Sequence, residues 1–244
     1  MTSHDETSKQ YYDEFSKQYD ARRGGREPGG YHDLVDDLEV DTVRRYGAGK
    51  RVLEVGCGTG LLLQRFAEFA SKATGIDLSE GMLAKAKARG LDALLASATA
   101  LPFESASFDV ACSFKVLAHI PAIDEALAEM ARVVAPRGYV IAEFYNPYSL
   151  RYLAKRIAGA RSVGNNLDES AVFTRFDTPS DAARRAPRGT RLIARRGIRI
   201  VTPAAFALRV PLLAPALRTL EHTLVDSPMA NLAGFFVAIY QKDA

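Results

Sequence analysis

Val52-Leu53-Glu54-Val55-Gly56-Cys57-Gly58-Thr59-Gly60 is the stretch that decides how this chain folds. Residues 51–55 form a short apolar run of strand length, and residues 59–69 that follow are amphipathic at helical spacing. Three glycines sit at alternate positions between them. Glycine tolerates positive φ and, lacking a Cβ, lets a ligand approach the backbone closely. A helix starting there points its free N–H groups at whatever lies over the loop. In open α/β sheets this place, outside the carboxyl ends of the strands, is where ligands bind.

Reading outward, strand and helix patterns alternate with short links. Strands are expected at 73–76, 92–96, 107–113 and 139–144, with helices at 80–90 (Ser79 as N-cap) and 122–134. Pro136-Arg137-Gly138 reads as the turn into the fifth strand. Later strands are expected at 191–201 and 234–241, and a helix over 203–224 interrupted by Pro211 and Pro215. Before the sheet, 5–20 and 31–46 read as helices, separated by a Gly-rich loop. Such alternation implies an α/β fold with a doubly wound, mainly parallel, seven-stranded Rossmann-like sheet. The division expected is an N-terminal helical cap (1–46), a core (47–144 and 190–244), and a lid insertion (145–189) with no clean period.

The glycine spacing is G-x-G-x-G, and Leu61 occupies the third glycine slot of the dinucleotide fingerprint. That spacing argues against a nicotinamide-dependent oxidoreductase. No G-x-x-x-x-G-K-[ST] run is present, which excludes a P-loop. Asp77 closes the second strand, 17 residues past Gly60, where a carboxylate can accept both hydroxyls of a ribose or simply cap the next helix.

The chain carries 32 Lys and Arg against 29 Asp and Glu, but residues 151–199 hold twelve of the basic and only four of the acidic residues. A basic block can meet an acidic substrate or phosphate, or be a solvated arginine-rich surface. The apolar runs are too short for a bilayer span, and the polar start lacks the pattern of a signal peptide. Cys57 and Cys112 fall in core-like segments and read as buried thiols of a reducing compartment, so the cytoplasm is the expected location. No Cys/His cluster has metal-ligand spacing.

Five motifs in order resemble the class I S-adenosylmethionine-dependent methyltransferases, in the subgroup of small-molecule and ubiquinone/menaquinone methyltransferases. They are residues 52–60; 75–83 around Ile76-Asp77-Leu78-Ser79; 100–109 around Leu101-Pro102-Phe103; Phe114-Lys115-Val116-Leu117-Ala118-His119-Ile120; and Arg132-Val133-Val134-Ala135-Pro136-Arg137-Gly138. The resemblance implies S-adenosylmethionine as cofactor. It implies that Gly56, Cys57, Gly58 and Gly60 hold its methionine part, with Glu54 fixing the loop. Asp77 would take the ribose, and Leu78 and Met82 would line the adenine. Ser97, followed by Ala98 and Thr99, stands where the family often has an acid facing the adenine amino group; its hydroxyl can still accept a hydrogen bond. Phe114 would contact the methionine end, and the N-terminal helix would close over the cofactor. Tyr19 could then orient the substrate or face the sulfonium.

Methyl transfer from a sulfonium needs alignment above all, and a base only where the nucleophile arrives protonated. His119, following the fourth strand, is the candidate base, with packing or cofactor contact as its alternative. Candidate substrate-binding residues are Tyr12, Tyr31, His119, Tyr145, Tyr148 and Arg175, with Asn146, Phe173 and Phe176 beside them. The expected activity is O- or N-methylation of a small organic molecule. Lipid or quinone C-methylation and a non-catalytic adenosylmethionine-binding protein are the alternatives. The expected partners are a small-molecule substrate and no stable nucleic acid, the chain being a monomer or homodimer.

Overall fold

The computed structural model describes residues 3–23, 29–149, 152 and 173–244. Two helices, α1 (Ser3–Arg22) and α2 (Tyr31–Gly47), precede the sheet. Then follow β1 (Arg51–Val55), α3 (Leu61–Phe66), β2 (Lys72–Asp77), α4 (Glu80–Ala88), β3 (Asp92–Leu95), β4 (Phe108–Ser113), α5 (Ile123–Val133) and β5 (Val134–Tyr145). The last third holds α6 (Pro179–Arg184), β6 (Thr190–Ile198), α7 (Ala214–Leu224) and β7 (Phe235–Lys242). One seven-stranded sheet runs in the order β3-β2-β1-β4-β5-β7-β6. β1 to β5 pair in parallel, and β7 is antiparallel to both of its neighbours. The expected doubly wound, mainly parallel sheet is therefore present.

Alternation along the strands feeds two cores. Val52, Val110, Ile141 and Val237 pack with Leu34, Leu38 and Val43 of α2 and Leu63 and Phe66 of α3. Leu53, Ala111, Val140 and Ala238 pack on the opposite face with Ile123, Leu127 and Met130 of α5. Because helices cover both faces, β1 and β4 are buried at nearly every position. Among the described residues no helix is long and apolar enough to cross a membrane.

Three expected boundaries move. α3 is six residues long, shorter than 59–69, because Gly60 is left-handed (φ 84°, ψ 21°) and serves as its N-cap. Pro136-Arg137-Gly138 lies inside β5 as a bulge, with Arg137 at φ 64° and the pairing jumping from Phe108–Val134 to Val110–Tyr139. The 203–224 helix is two pieces, a 3₁₀ turn (Ala205–Arg209) and α7. Pro211 falls between them, and Pro215 sits in the first turn of α7, where no N–H is needed. Of the 145–189 stretch, residues 150–151 and 153–172 lie outside the described residues.

Among the described residues of 151–199, several cations are engaged within the chain. Arg185 binds Asp124 and Asp177, Arg191 binds Gln241, and Arg196, 2% exposed, pairs with Asp41 and Asp226. The segment leaving β6 depends on one carboxylate. Glu221 of α7 is fully buried and accepts from the N–H groups of Ile200, Val201 and Thr202 at 2.8, 3.0 and 2.9 Å. Glu221→Ala strands three backbone donors, two of them buried, each buried one costing about 1–3 kcal/mol. Urea unfolding should show a loss of about 3–5 kcal/mol, with Glu221→Gln losing less because one acceptor oxygen remains.

Candidate cofactor and acceptor site

At the carboxyl end of β1 the backbone doubles back on β2. Gly56 and Cys57 both donate to Ile76 O, at 2.8 and 2.9 Å. Gly56, at φ 78°, is forced to be glycine, since a Cβ there would lie 2.3 Å from Val116 Cγ2. Gly58 is different: φ is 55° and a Cβ would meet only open space. Its N–H donates to Asp77 Oδ2 at 2.8 Å, while Ser79 N–H donates to Oδ1 at 2.9 Å. A carboxylate has about four acceptor sites, so Asp77 keeps capacity for a ligand beside these N–H groups. Burial raises the Asp77 carboxyl above its ordinary range against these N–H groups.

Above the loop lies a cavity of about 460 Å³. Glu54, Gly56, Cys57, Gly58, Asp77, Leu78 and Met82 line one side of it, with Ser97, Ala98 and Phe114. Tyr12, Tyr19, His119 and Tyr145 close the other. Most of the residues singled out in the sequence are thus brought together. Gly60 and Thr99 are not in the lining. A Cβ on Gly60 would strike Leu91, so this glycine serves packing, and Thr99 turns its hydroxyl to Ser97 Oγ at 2.9 Å. Tyr31 accepts from Arg199 at 3.2 Å and packs against the core outside the cavity. Tyr148 is 64% exposed, and buried Asn146 holds Asn231 O and Ala233 O. Arg175 turns away from the cavity to Ile120 O and Pro121 O.

The roof is α1, held by polar fastenings. Asp13 accepts from Ser79 Oγ and, at 2.9 Å, from Gly81 N–H at the start of α4. Asp20 accepts from Thr59 Oγ1 at 2.7 Å and from Arg89 at 2.8 Å. These contacts turn Tyr12, Phe15 and Tyr19, one helical stripe, into the cavity. Burial pushes both tyrosine hydroxyls up, so they stay protonated.

Glu54 is 3% exposed and its Oε2 has no hydrogen-bond partner within the protein. Burial raises its pKa well above the ordinary range, reinforced by Glu39. A buried, unpaired acceptor beside a cavity suits a cationic donor, which would draw the carboxyl back to its charged form. Glu54 and the open space over Gly58 are the structural grounds for a ligand with an ammonium group.

A second polar group has no local signature in the sequence. Lys115, with φ 60°, lines the cavity and places Nζ 2.9 Å from Glu39 and 3.4 Å from Asp36. Its N–H donates to Glu143 at 3.0 Å, and Arg23 grips Asp36 at 2.7 and 2.8 Å. Burial alone would depress the Lys115 ammonium, but Glu39, Asp36 and Glu143 outweigh it and hold it above its usual range. Glu39 occupies the buried face of α2 beside Leu38 and Thr42, and an acid on an apolar stripe was the signal available.

At the other end, His119 Nδ1 lies 2.9 Å from Phe173 O and 3.3 Å from Thr174 Oγ1. Its Nε2 lies 3.5 Å from Tyr145 OH, the two rings meeting edge to face at 5.6 Å. Among the described residues no group of three or more His, Cys, Asp or Glu is placed to hold a metal ion.

Comparison with known proteins bears on this geometry. Residues 53–142 match the family model described as a methyltransferase domain. The chain is 35% identical over 166 residues to the ubiquinone biosynthesis O-methyltransferase of Dechloromonas aromatica, covering 63% of this chain and 69% of that one. It is 33% identical over 143 residues to the protein of that name from Paraburkholderia phymatum, covering 55% and 61%. The match thus spans a little under two thirds of some of these relatives' length. Among solved structures, the CcbJ methyltransferase from Streptomyces caelestis superposes with TM-score 0.65 at 16% identity, covering 96% and 98%. The [4+2]-cyclase SpnF gives 0.66 at 22%, covering 97% and 95%. At such identities these structures establish the fold alone.

His32 lines the cavity next to Arg23 and Lys115. Burial first, then those two cations, lowers its pKa to about 4 from 6.5. The folded protein therefore binds this proton less readily than the unfolded chain, so the His32 contribution is intact above pH 6.5 and lost as pH falls toward 4. Thermal unfolding followed from pH 7 to pH 4 should show a shallower decline of Tm for His32→Gln than for the native protein.

Proposed function

The chain belongs to the class I S-adenosylmethionine-dependent methyltransferases, and on that premise we propose that it methylates a hydroxyl of a small, flat organic molecule, with His119 taking the hydroxyl proton. The observation that carries this reading is the anchored imidazole of His119. Phe173 O can only accept, so a hydrogen bond from Nδ1 leaves the lone pair of the neutral ring on Nε2. That lone pair faces the Tyr145 side of the cavity. An amine acceptor above its pKa needs no such base, whereas a hydroxyl does. The O-methyltransferase name of the relatives points the same way.

The cavity residues fit the cofactor. When bound, S-adenosylmethionine supplies a methyl carbon activated by its sulfonium. Glu54 receives the amino group of its methionine part, Asp77 the ribose hydroxyls, and Leu78, Met82 and Ala98 enclose the adenine. Gly58 leaves the room a side chain would fill. Tyr12, Phe15, Tyr19 and Phe114 exclude water and give a flat acceptor aromatic walls, a geometry suited to rings. Proximity and alignment of this kind account for about 7–11 kcal/mol of a transfer barrier.

Two measurements test the reading. With a simple catechol as acceptor, His119→Ala should lower kcat by about 10²-fold or more, the range for a general base, and leave S-adenosylhomocysteine affinity nearly unchanged. Undiminished turnover would remove His119 from the mechanism. By isothermal titration, Glu54→Ala should weaken S-adenosylhomocysteine about 10- to 100-fold, the worth of a hydrogen bond to a charged group. An unaltered Kd would show that Glu54 does not hold the amino group.

A further inference from the structure

Arg175 neither lines the cavity nor carries a free charge toward it, yet it is fastened beside the candidate base. Residues 173–177, outside regular secondary structure, form a strap between the loop after β4 and the end of β5. Arg175 N–H donates to Ala118 O at 2.7 Å, and Asp177 N–H donates to Tyr145 O at 2.9 Å. The guanidinium spans two successive carbonyls, Nη1 to Ile120 O at 3.3 Å and Nη2 to Pro121 O at 2.8 Å. These carbonyls follow the 3₁₀ turn Leu117–His119, whose end supplies acceptors in need of donors. The guanidinium also lies 5.2 Å from the centre of the Phe173 ring. The strap is thereby pinned two and four residues after Phe173, whose carbonyl meets His119 Nδ1.

We propose that Arg175 is a positioning residue: by pinning the strap to Ile120 O and Pro121 O, it holds Phe173 O where His119 must carry its proton on Nδ1 and present Nε2 to the acceptor. The proposal rests on the reading of His119 as the base. A planar two-pronged donor suits the task, since it fixes the strap in distance and in orientation, which a single ammonium does not. Without it the backbone bonds at Ala118 and Tyr145 remain, so the chain stays folded while the Phe173 carbonyl loses its fixed place. The imidazole then populates the other neutral form, with Nε2 protonated and useless as an acceptor. A base held in the wrong tautomer can cost up to about 10⁴ in turnover, as serine hydrolase triads show.

The test reads the tautomer directly. The full chain, labelled with ¹⁵N-histidine and saturated with S-adenosylhomocysteine, is examined by long-range ¹H–¹⁵N correlation. The His119 signals among the four histidines are identified by their loss in His119→Asn. The native protein should show protonated Nδ1 and bare Nε2. Arg175→Ala should shift His119 toward the Nε2–H form. On a catechol probe, kcat should fall about tenfold or more while the KM for S-adenosylmethionine stays within about twofold. Arg175→Lys, reaching one carbonyl, should recover part of both effects. Retention of the Nδ1–H form in Arg175→Ala overturns the proposal, whatever happens to turnover. Should the alanine variant fail to fold, Arg175→Gln carries the same measurement. If His119→Ala turns over at the native rate, the base reading fails separately, and the spectra still decide whether Arg175 sets the tautomer.

Discussion

The two oxygens of Asp77 tie together the pieces from which the site is made. One holds the Gly58 N–H of the loop after β1, and the other holds the Ser79 N–H at the start of α4. Parallel pairing of Glu54 with Gly75 and of Val55 with Ile76 brings the two strand ends level, so one carboxylate can reach both loops. The loop that would face the cofactor is therefore shaped by the neighbouring strand as much as by its own glycines. Ser79 in turn caps α4 through Met82 N–H and donates to Asp13 of α1. Sheet, loop, helix and roof form one connected polar chain, and a change at Asp77 would be felt at each.

The opposite wall relies on buried charge instead. Lys115, Glu39, Asp36, Glu143 and Arg23 join α2 to the ends of β4 and β5. Such groups give little net stability, because desolvation offsets most of their attraction. What they provide is geometry. Lys115 in a left-handed conformation directs the chain from Phe114 toward His119, so both the inner cavity wall and the candidate base descend from one anchored residue.

Much of this was legible in the sequence, for reasons that differ by element. β1, the G-x-G-x-G loop, Asp77 and the Ser79 cap are local: strand period, glycine freedom and capping are each written within a few residues. α3 was overextended because amphipathic spacing continues past Phe66, whereas the left-handed Gly60 fixes its start. The bulge at Arg137 reads as a turn because Pro and Gly mark a departure from regular pairing without saying which kind. Long-range partnerships were the hardest. Nothing near Arg175 indicates that its guanidinium ends on Ile120 O and Pro121 O, more than fifty positions away, and an arginine among aromatics reads naturally as a substrate clamp. Glu39 and Lys115 meet only because α2 crosses the end of β4.

Among the described residues α1, unlike α2, α3 and α5, contributes none to either hydrophobic cluster. Asp13, Asp20 and Lys9 make its attachments through hydrogen bonds and ion pairs at partly exposed positions, while its aromatic stripe faces a cavity and not a filled core. Water can take over such contacts in part, at a net cost of about 1.5–3 kcal/mol for each bond to a charged group. The place of this helix on the fold therefore does not rest on those clusters. The roof of the cavity is thus joined to the fold through polar and ionic contacts, which salt screens, and not through either hydrophobic cluster.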